Sequence, residues 1–180
     1  MKQIKIYGVG GQGVVTAAKL LCSTICQYEG GFAKMFPAYG HERRGAPIYA
    51  DVFVDSQPVL LNCFVAQPDI VLLLDPSLEQ RGRMINKGIG PDCLLAVNTS
   101  DCARFSEYGF ERIYHADAYR LSKEMIGSDI PNLSMLGVLA RTGLYGIDHV
   151  CSCIEDYFHT ESSIKYRELV RRSYDYAEVN

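Results

Sequence analysis

The amino-acid sequence predicts an α/β protein with three layers, a mostly parallel sheet and a helical C-terminal segment. Short apolar runs alternate with helical stretches over the first two-thirds of the chain, which is the order of elements found in parallel α/β sheets. From about residue 133 to 176 the apolar spacing is helical throughout. With 180 residues, of which 48% are hydrophobic and 22% charged, the chain suits a single domain over residues 1–180.

The strands are predicted from alternating residues and from unbroken apolar runs. Residues 2–7 alternate polar and apolar side chains before a glycine cluster. Residues 69–74 are continuously apolar after the first position, as is typical of a central strand buried on both faces. The predicted strands are residues 2–7, 32–36, 48–54, 59–65, 69–74, 91–98 and 112–116.

The helices are predicted from apolar spacing between glycine and proline breaks. Residues 14–29 contain neither glycine nor proline, and Gly30 and Gly31 are expected to end this first helix. The four further predicted helices are residues 118–126, 133–144, 147–158 and 161–176.

A glycine loop joins the first strand to the first helix. Gly8, Gly10 and Gly13 satisfy the G-x-G-x-x-G pattern. Glycines permit a tight turn, and the free N–H groups at the start of a helix favour an anion. The candidate cofactor-binding residues of this Rossmann-like arrangement are therefore Gly8, Gly10, Gly11, Gln12 and Gly13.

A dinucleotide site also requires an acid at the end of the second strand, about 20 residues further on. Glu29 has roughly this spacing but lies at the end of the predicted helix, and the second strand stops at Pro37 without an acid. The loop also lacks the Gly-Lys-Ser/Thr ending of a P-loop. We favour the interpretation that the glycines allow tight packing or the approach of a partner chain. The dinucleotide site stays open as the alternative.

Five segments carry a more specific signal than the glycines alone. They are residues 4–14 with Gly-Gly-Gln-Gly-Val, residues 39–47 with Glu-Arg-Arg-Gly, and residues 68–78, 95–99 and 132–137. In this order, and over almost the whole chain, they resemble the gamma subunit, or gamma domain, of the 2-oxoacid:ferredoxin oxidoreductases.

The resemblance implies a place in a larger enzyme. The complete enzymes of this family convert a 2-oxoacid and coenzyme A to acyl-CoA and CO₂ and reduce ferredoxin or a similar acceptor. Other subunits bind thiamine diphosphate, Mg²⁺ and the iron–sulfur clusters, so the resemblance implies that this chain binds no cofactor alone. It implies alpha, beta and delta subunits as partners and no activity for the isolated chain. We assign no catalytic residue to this chain.

The Glu-Arg-Arg-Gly segment supplies the second group of candidate site residues: Tyr39, Gly40, Glu42, Arg43, Arg44 and Gly45. Adjacent arginines bounded by glycines can hold carboxylates or phosphates with two hydrogen bonds each. Because the segment matches the family pattern, we expect an intersubunit role. Contact with the phosphates of coenzyme A and a solvated turn are the alternatives.

The remaining polar residues predict no metal site. The four histidines lack the i, i+4 pairing of a helical site, and the seven cysteines do not have the spacing of an iron–sulfur motif. Without a secretory signal, the cysteines are expected to be reduced and structural. Asp75, at the end of an apolar strand, is interpreted as a turn and helix cap rather than a ligand.

Charge and hydropathy exclude some partners. A net charge of -3 gives no general attraction to nucleic acid or to an anionic membrane. No apolar run is long enough to cross a bilayer, so we expect a cytoplasmic protein. An isolated chain can form a homodimer through faces that normally contact partners. Ala46 and Pro47 after Gly45 favour a pyruvate-type or branched-chain enzyme, with a lean toward pyruvate, and aryl and 2-oxoglutarate enzymes stay open.

Two rival functions use the glycine loop. One is a stand-alone oxidoreductase that binds NAD(P) or FAD through residues 8–13, and the other is a nucleotide-sensing module. The first predicts saturable NAD(P) or FAD binding by the purified chain, and the second predicts ligand-dependent changes in oligomer state without partners. The family interpretation predicts copurification with other chains.

Overall fold

A seven-stranded mixed sheet organises the chain. The structure is a computed structural model that describes residues 1–37, 45–80 and 85–180. The strands are β1 (Lys2–Val9), β2 (Phe32–Pro37), β3 (Pro47–Asp55), β4 (Ile70–Leu73), β5 (Leu94–Asn98), β6 (Arg112–Ala116) and β7 (Glu178–Val179).

Helices connect most of these strands and form the C-terminal segment. They are α1 (Val14–Gln27), α2 (Ser77–Gln80), α3 (Ala118–Ile126), α4 (Asn132–Ala140), α5 (Ile147–Phe158) and α6 (Ser162–Tyr176), with a 3₁₀ helix at Ala103–Tyr108. Over the described ranges, none of the helices has both the length and the apolar character needed to cross a membrane.

The strand order is β2-β3-β1-β4-β5-β6-β7. The four central strands, β1, β4, β5 and β6, run parallel, which confirms the predicted α/β fold with a parallel centre. The edges are antiparallel: β3 pairs with β1, β2 with β3, and β7 with β6. Strand β2 is therefore separated from β1 by β3, whereas the second strand of a dinucleotide fold lies directly beside the first.

Several predicted boundaries need correction, and one predicted strand is wrong. Residues 59–65 form no strand, because the Lys5–Asp51 pair binds both the N–H and the C=O of Val65, the groups that a strand neighbour would use. The first helix ends at Gln27, two residues early. The helix predicted to reach residue 144 ends at Ala140, ahead of a turn in which Gly143 has a φ of 80°.

The two faces of the sheet are covered differently. One side of the sheet, here called the helical face, packs against five of the described helices. These helices, α1, α3, α4, α5 and α6, share one apolar core with β1, β3, β4, β5 and β6. On the opposite side, here called the loop face, α2 and the 3₁₀ helix cover the central strands through residues such as Leu78 and Phe105. The β1, β3 and β2 part of the loop face is crossed by residues 56–69, which contain no helix.

Candidate functional site

The C-terminal edge of the parallel strands gathers described residues from all five family-like segments, including Gly45 and Ala46 of residues 39–47. The glycine loop follows β1, Asp75 follows β4, Asn98 ends β5, and Asn132 begins α4. These segments are distant in the sequence, and hydrogen bonds between them place them at one edge of the sheet.

The glycine loop is held by backbone hydrogen bonds to the chain that enters β3. The Gly10 N–H donates to the carbonyl of Ala46 at 2.8 Å, and the Gly45 N–H donates to the carbonyl of Gly10 at 3.0 Å. Gly45 has a φ of 86°, which a side chain would strain. The chain leaves the sheet at Pro37 and returns at Gly45, so both described ends of the 38–44 segment lie at this edge.

Gln12 occupies the crevice between β1 and β4. Its Oε1 accepts a hydrogen bond from the Val9 N–H at 2.9 Å, and its Nε2 donates to Asp75 Oδ2 at 2.7 Å. The same amide also donates to the Tyr119 hydroxyl. The helices that follow β1 and β4, α1 and α2, pack on opposite faces of the sheet. Open α/β sheets usually bind ligands in the crevice between two such strands. In this chain a side chain of the loop itself fills that position.

Asp75 forms the predicted turn and helix cap and also binds Gln12 in the crevice. Its Oδ1 accepts a hydrogen bond from the Ser77 N–H at 2.9 Å, so the prediction of a turn and helix cap is confirmed. Its other oxygen accepts from Gln12. Burial, followed by the charge of Asp75, raises the pKa of Tyr119 to about 12, so this hydroxyl stays protonated at neutral pH.

Two of the glycines are required by packing within the chain. A Cβ on Gly8 would lie 2.5 Å from Val14 Cγ2 and 3.1 Å from Gln12 Oε1. A Cβ on Gly13, which has a φ of 77°, would lie 2.3 Å from Nδ2 of Asn132. The space that these glycines leave is therefore occupied by protein side chains, which supports the packing interpretation of the motif.

Glu29 lies at the opposite end of α1 from the glycine loop. Its Oε1 accepts hydrogen bonds from the Gly146 N–H at 2.6 Å and from Nδ1 of His149 at 2.8 Å. Glu29 therefore joins α1 to α5 and is not placed to bind a ribose beside the loop.

A cleft of about 740 Å³ opens beside the loop at the start of α1. It is lined by Gly11, Val15 and Thr16 at the start of α1 and by apolar residues including Ile48 and Phe158. The first turn of α1 contains no acidic residue. Because the first N–H groups of a helix have no partner within the helix, this cleft combines apolar walls with an end suited to an anion.

The other predicted site residues have different outcomes. Tyr39, Gly40, Glu42, Arg43 and Arg44 lie outside the described residues, and of that group only Gly45 is placed. Among the described residues, no group of three or more His, Cys, Asp or Glu side chains is arranged to hold a metal ion.

The cysteines are all free thiols. Four of them, Cys93, Cys102, Cys151 and Cys153, are buried. Burial raises the pKa of Cys93 to about 12 and that of Cys151 to about 11, which disfavours the thiolate needed to ligate a metal. Cys63, expected within an apolar strand, is instead exposed.

The sequence predicted which segments supply the residues at this edge, but it did not predict how the side chains of those residues pair. Asn98 donates to the carbonyl of Leu74 and accepts from the Ala118 N–H, each at 2.9 Å, which joins β4, β5 and α3. Asn132 donates to the carbonyl of Gly13 at 3.5 Å. Both residues lie in family-like segments, and their polar character within apolar runs was the available signal. Tyr119 lies in no such segment and had no signal.

Comparison with known proteins gives a consistent result. The family described as pyruvate ferredoxin/flavodoxin oxidoreductase matches residues 3–175. The pyruvate/ketoisovalerate oxidoreductases common subunit gamma of Pyrococcus furiosus is 33% identical over 187 residues, covering 99% of this chain and 98% of that protein.

Solved structures agree with these matches. The pyruvate oxidoreductase subunit PORC of Thermotoga maritima superposes with a TM-score of 0.86 at 28% identity, covering 99% of this chain and 98% of that one. A 2-oxoglutarate:ferredoxin oxidoreductase from Magnetococcus marinus, with 2-oxoglutarate, coenzyme A and succinyl-CoA bound, has a TM-score of 0.75 at 17% identity. The match covers 96% of this chain but 30% of that longer chain, and it shows a shared fold.

Proposed function

The chain belongs to the pyruvate ferredoxin/flavodoxin oxidoreductase family, and from this membership we propose that it serves as the gamma subunit of a multisubunit 2-oxoacid oxidoreductase. That enzyme converts a 2-oxoacid and coenzyme A to acyl-CoA and CO₂ and reduces ferredoxin or a similar acceptor. The observation that carries the proposal is the agreement with PORC over 99% of this chain and 98% of that subunit, because the two chains match over nearly their whole lengths.

The cofactors and partners of the complex belong to the same proposal. We assign thiamine diphosphate, Mg²⁺ and the iron–sulfur clusters to alpha, beta and delta chains. Buried cysteines with raised pKa values, and the lack of a metal-binding group among the described residues, do not fit a cluster on this chain. All seven cysteines are free thiols, which supports a cytoplasmic location.

We further propose that the C-terminal edge of the sheet faces coenzyme A in the complex. The cleft beside α1 offers a helix N-terminus for phosphate and apolar walls for the pantetheine arm. Arg43 and Arg44 directly precede Gly45 in the sequence, and Gly45 bonds to Gly10 at this edge. The M. marinus enzyme contains coenzyme A, but its 17% identity supports only the fold.

The stand-alone nucleotide-binding functions are disfavoured by two observations. Gln12 fills the crevice that a dinucleotide would occupy, and β3 separates β1 from the strand that would carry the ribose-binding acid. We retain pyruvate as the favoured 2-oxoacid, because the sequence around Ala46 leans toward pyruvate-type and branched-chain enzymes.

Affinity purification of this chain from its native cells tests the proposal. We expect the thiamine- and cluster-binding chains to copurify, as identified by mass spectrometry, together with 2-oxoacid-dependent and coenzyme A-dependent dye reduction. The 2-oxoacid with the highest activity then identifies the substrate. A chain that purifies alone and binds NAD(P) or FAD saturably contradicts the proposed function.

Kinetics of the complex test the contact with coenzyme A. Replacing Arg43 and Arg44 by Ala is expected to raise the KM for coenzyme A about thirtyfold, because each of the two lost phosphate contacts costs about 1 kcal/mol, while the KM for the 2-oxoacid stays unchanged. Arg172→Ala, an exposed arginine on α6, is the matched control. Equal changes in both KM values, or no change in either, would contradict the proposed contact with coenzyme A. The intersubunit role of Arg43 and Arg44 would then remain.

A further inference from the structure

Part of the loop face has no helical layer among the described residues. Strands β1, β3 and β2 carry helices on their other side, whereas on the loop face the described part of the chain places residues 56–69, which include no helix, against them. By strand register, Phe32, Lys34 and Phe36 of β2 lie on the same side as Phe53 of β3. Phe53 is fully buried, whereas Phe32 is 43% exposed, so within the described ranges a segment without a helix covers this part of the sheet incompletely.

The crossing segment is fixed to the sheet by a buried ion pair. The Lys5 ammonium lies 3.0 Å from Asp51 Oδ1, and the Asp51 side chain is fully buried. Asp51 Oδ2 accepts a hydrogen bond from the Val65 N–H, and Lys5 donates to the Val65 carbonyl, each at 2.9 Å. Lys34 donates to Asn62 Oδ1 at 2.6 Å. These contacts hold the backbone of the segment against the sheet. The exposure of its apolar side chains is therefore a property of an ordered segment.

Large apolar side chains of this fixed segment point into solvent. Leu60 is 85% exposed, Phe64 is 60% exposed and Leu61 is 39% exposed. Phe32 of β2, on the same face, is 43% exposed. Single exposed apolar residues are ordinary, but a group of them on one ordered surface marks an interaction site.

We propose that residues 56–66, here called the 56–66 loop, dock into an apolar groove on another chain of the same oxidoreductase. This inference rests on the proposed function, which supplies such chains. Lys34 lies over the Phe36 ring, 5.3 Å from its centroid, and within the described residues no carboxylate pairs with it. The groove is therefore expected to have a carboxylate at its rim.

The charge beside the loop selects another chain over a second copy of this one. A two-fold dimer places the same patch against itself. Such a dimer would bring two Lys34 ammonium groups to one interface, and within the described residues no carboxylate pairs with them. A different chain can supply an apolar groove with a carboxylate at its rim, and it then completes the cover of β1, β3 and β2 on this face.

The first test compares paired variants in affinity purification of the assembled enzyme. Leu60→Ser combined with Phe64→Ser is expected to lower the amount of copurifying oxidoreductase chains about tenfold or more, because two anchor side chains are lost. Ile164→Ser is the matched control, since Ile164 is 54% exposed on α6, and it should copurify like the wild type. An unchanged melting temperature shows that the double variant folds.

The outcomes separate this inference from the proposed function. Equal copurification by wild type and double variant overturns the docking loop and leaves the gamma-subunit function intact. Failure of the wild type to bring down any oxidoreductase chain overturns the proposed function, and the inference with it.

The second test uses two native thiols and needs no substitution. Cys63 in the loop and Cys26 on α1 are both exposed. Alkylation measured by mass spectrometry should become at least tenfold slower at Cys63 on assembly with the other chains, while the rate at Cys26 changes less. Unchanged reactivity of Cys63 in the assembled enzyme overturns the proposal. So does protection of Cys63 that is already complete in a dimer of the isolated chain.

Discussion

The helical face and the loop face of the sheet are completed in different ways. On the helical face, α4 and α6 pack so closely that Ser134 and Ser173 share a hydrogen bond of 2.7 Å within the core. On the loop face, the ion pair of Lys5 and Asp51 fixes a segment whose apolar side chains face solvent. The described residues therefore close one face with helices, while part of the other face is covered by an ordered segment that exposes apolar side chains.

The largest expected effect is at the closest contact of the helical face. Gly137→Ala should destabilise the protein by about 3 kcal/mol, because the added Cβ would lie 2.2 Å from the Val170 carbonyl and 3.0 Å from Ser173 Cβ. In an open helix the same change would stabilise by about 1 kcal/mol. The melting temperature should fall by roughly 6–12 °C, measured by calorimetry.

Gly90→Ala is the control for this prediction, since a Cβ there meets no atom within 4 Å. It should change stability little. A Gly137→Ala protein as stable as wild type would show that α4 and α6 can separate without cost, and that the helical face is not closed as described.

The next effect is on the loop face, at the buried ion pair. Asp51→Asn should cost about 2 kcal/mol, because the Lys5 ammonium loses its partner in a mostly buried place. Unlike the helical-face change, it should act locally. Amide hydrogen exchange should accelerate in the 56–66 loop more than in α4 or α6.

Lys5→Met in the Asp51→Asn background serves as the control, since it removes the unpaired charge and should recover part of the lost stability. Uniform acceleration of exchange through the whole domain would contradict a local fixing role for the ion pair.

A smaller effect is expected at Glu29, which ties α1 to α5 on the helical face. Burial alone would raise the pKa of Glu29, but hydrogen bonds from the Gly146 N–H and from His149 outweigh it, so the pKa is lowered. The contribution of Glu29 is then fully present above its unfolded pKa of about 4.3 and is lost as the pH falls through the lower folded value. Glu29→Gln should cost about 1 kcal/mol at pH 7.

The pH dependence provides the check. Denaturant unfolding of wild type and Glu29→Gln should give free energies that differ at pH 7 and converge at a pH below about 4. A difference that persists unchanged at pH 3 would show that the charge of Glu29 does not contribute.

The smallest expected change in stability comes from the apolar residues of the 56–66 loop. Leu60→Ser and Phe64→Ser should each alter the free energy of unfolding by no more than about 0.5 kcal/mol, because the side chains are already exposed. Urea unfolding of the isolated chain measures this. A loss above about 2 kcal/mol would mean that these residues support the fold instead of a docking surface.

Local pattern predicted most elements, and long-range contacts explain the failures. The spacing around β6, α3 and α5 gave their bounds as observed, because alternation and helical periodicity are local properties. The strand expected at residues 59–65 did not form, since its backbone is bound by Lys5 and Asp51, residues far away in the sequence. The antiparallel position of β3 between β2 and β1 is also non-local.

The site was predicted in position but not in detail. The glycines, Asp75, Asn98 and Asn132 lie in segments that were recognised, and all of them meet at the C-terminal edge. The filling of the crevice by Gln12 could not be predicted, because it depends on Asp75 and Tyr119 reaching the same amide from other strands and helices.

The central place of β1 has a consequence for synthesis. Strand β1 is made before every other strand, yet it lies between β3 and β4, and α1 packs against the late helix α5. The Cys153 thiol, for example, contacts the carbonyl of Leu20, 133 residues earlier. A nascent chain that stops before α5 therefore keeps the α5-facing part of α1 uncovered, although the strands beneath α1 are already made. We expect ribosome-bound chaperones to remain on this chain until α5 and α6 emerge, a release point that selective ribosome profiling can locate.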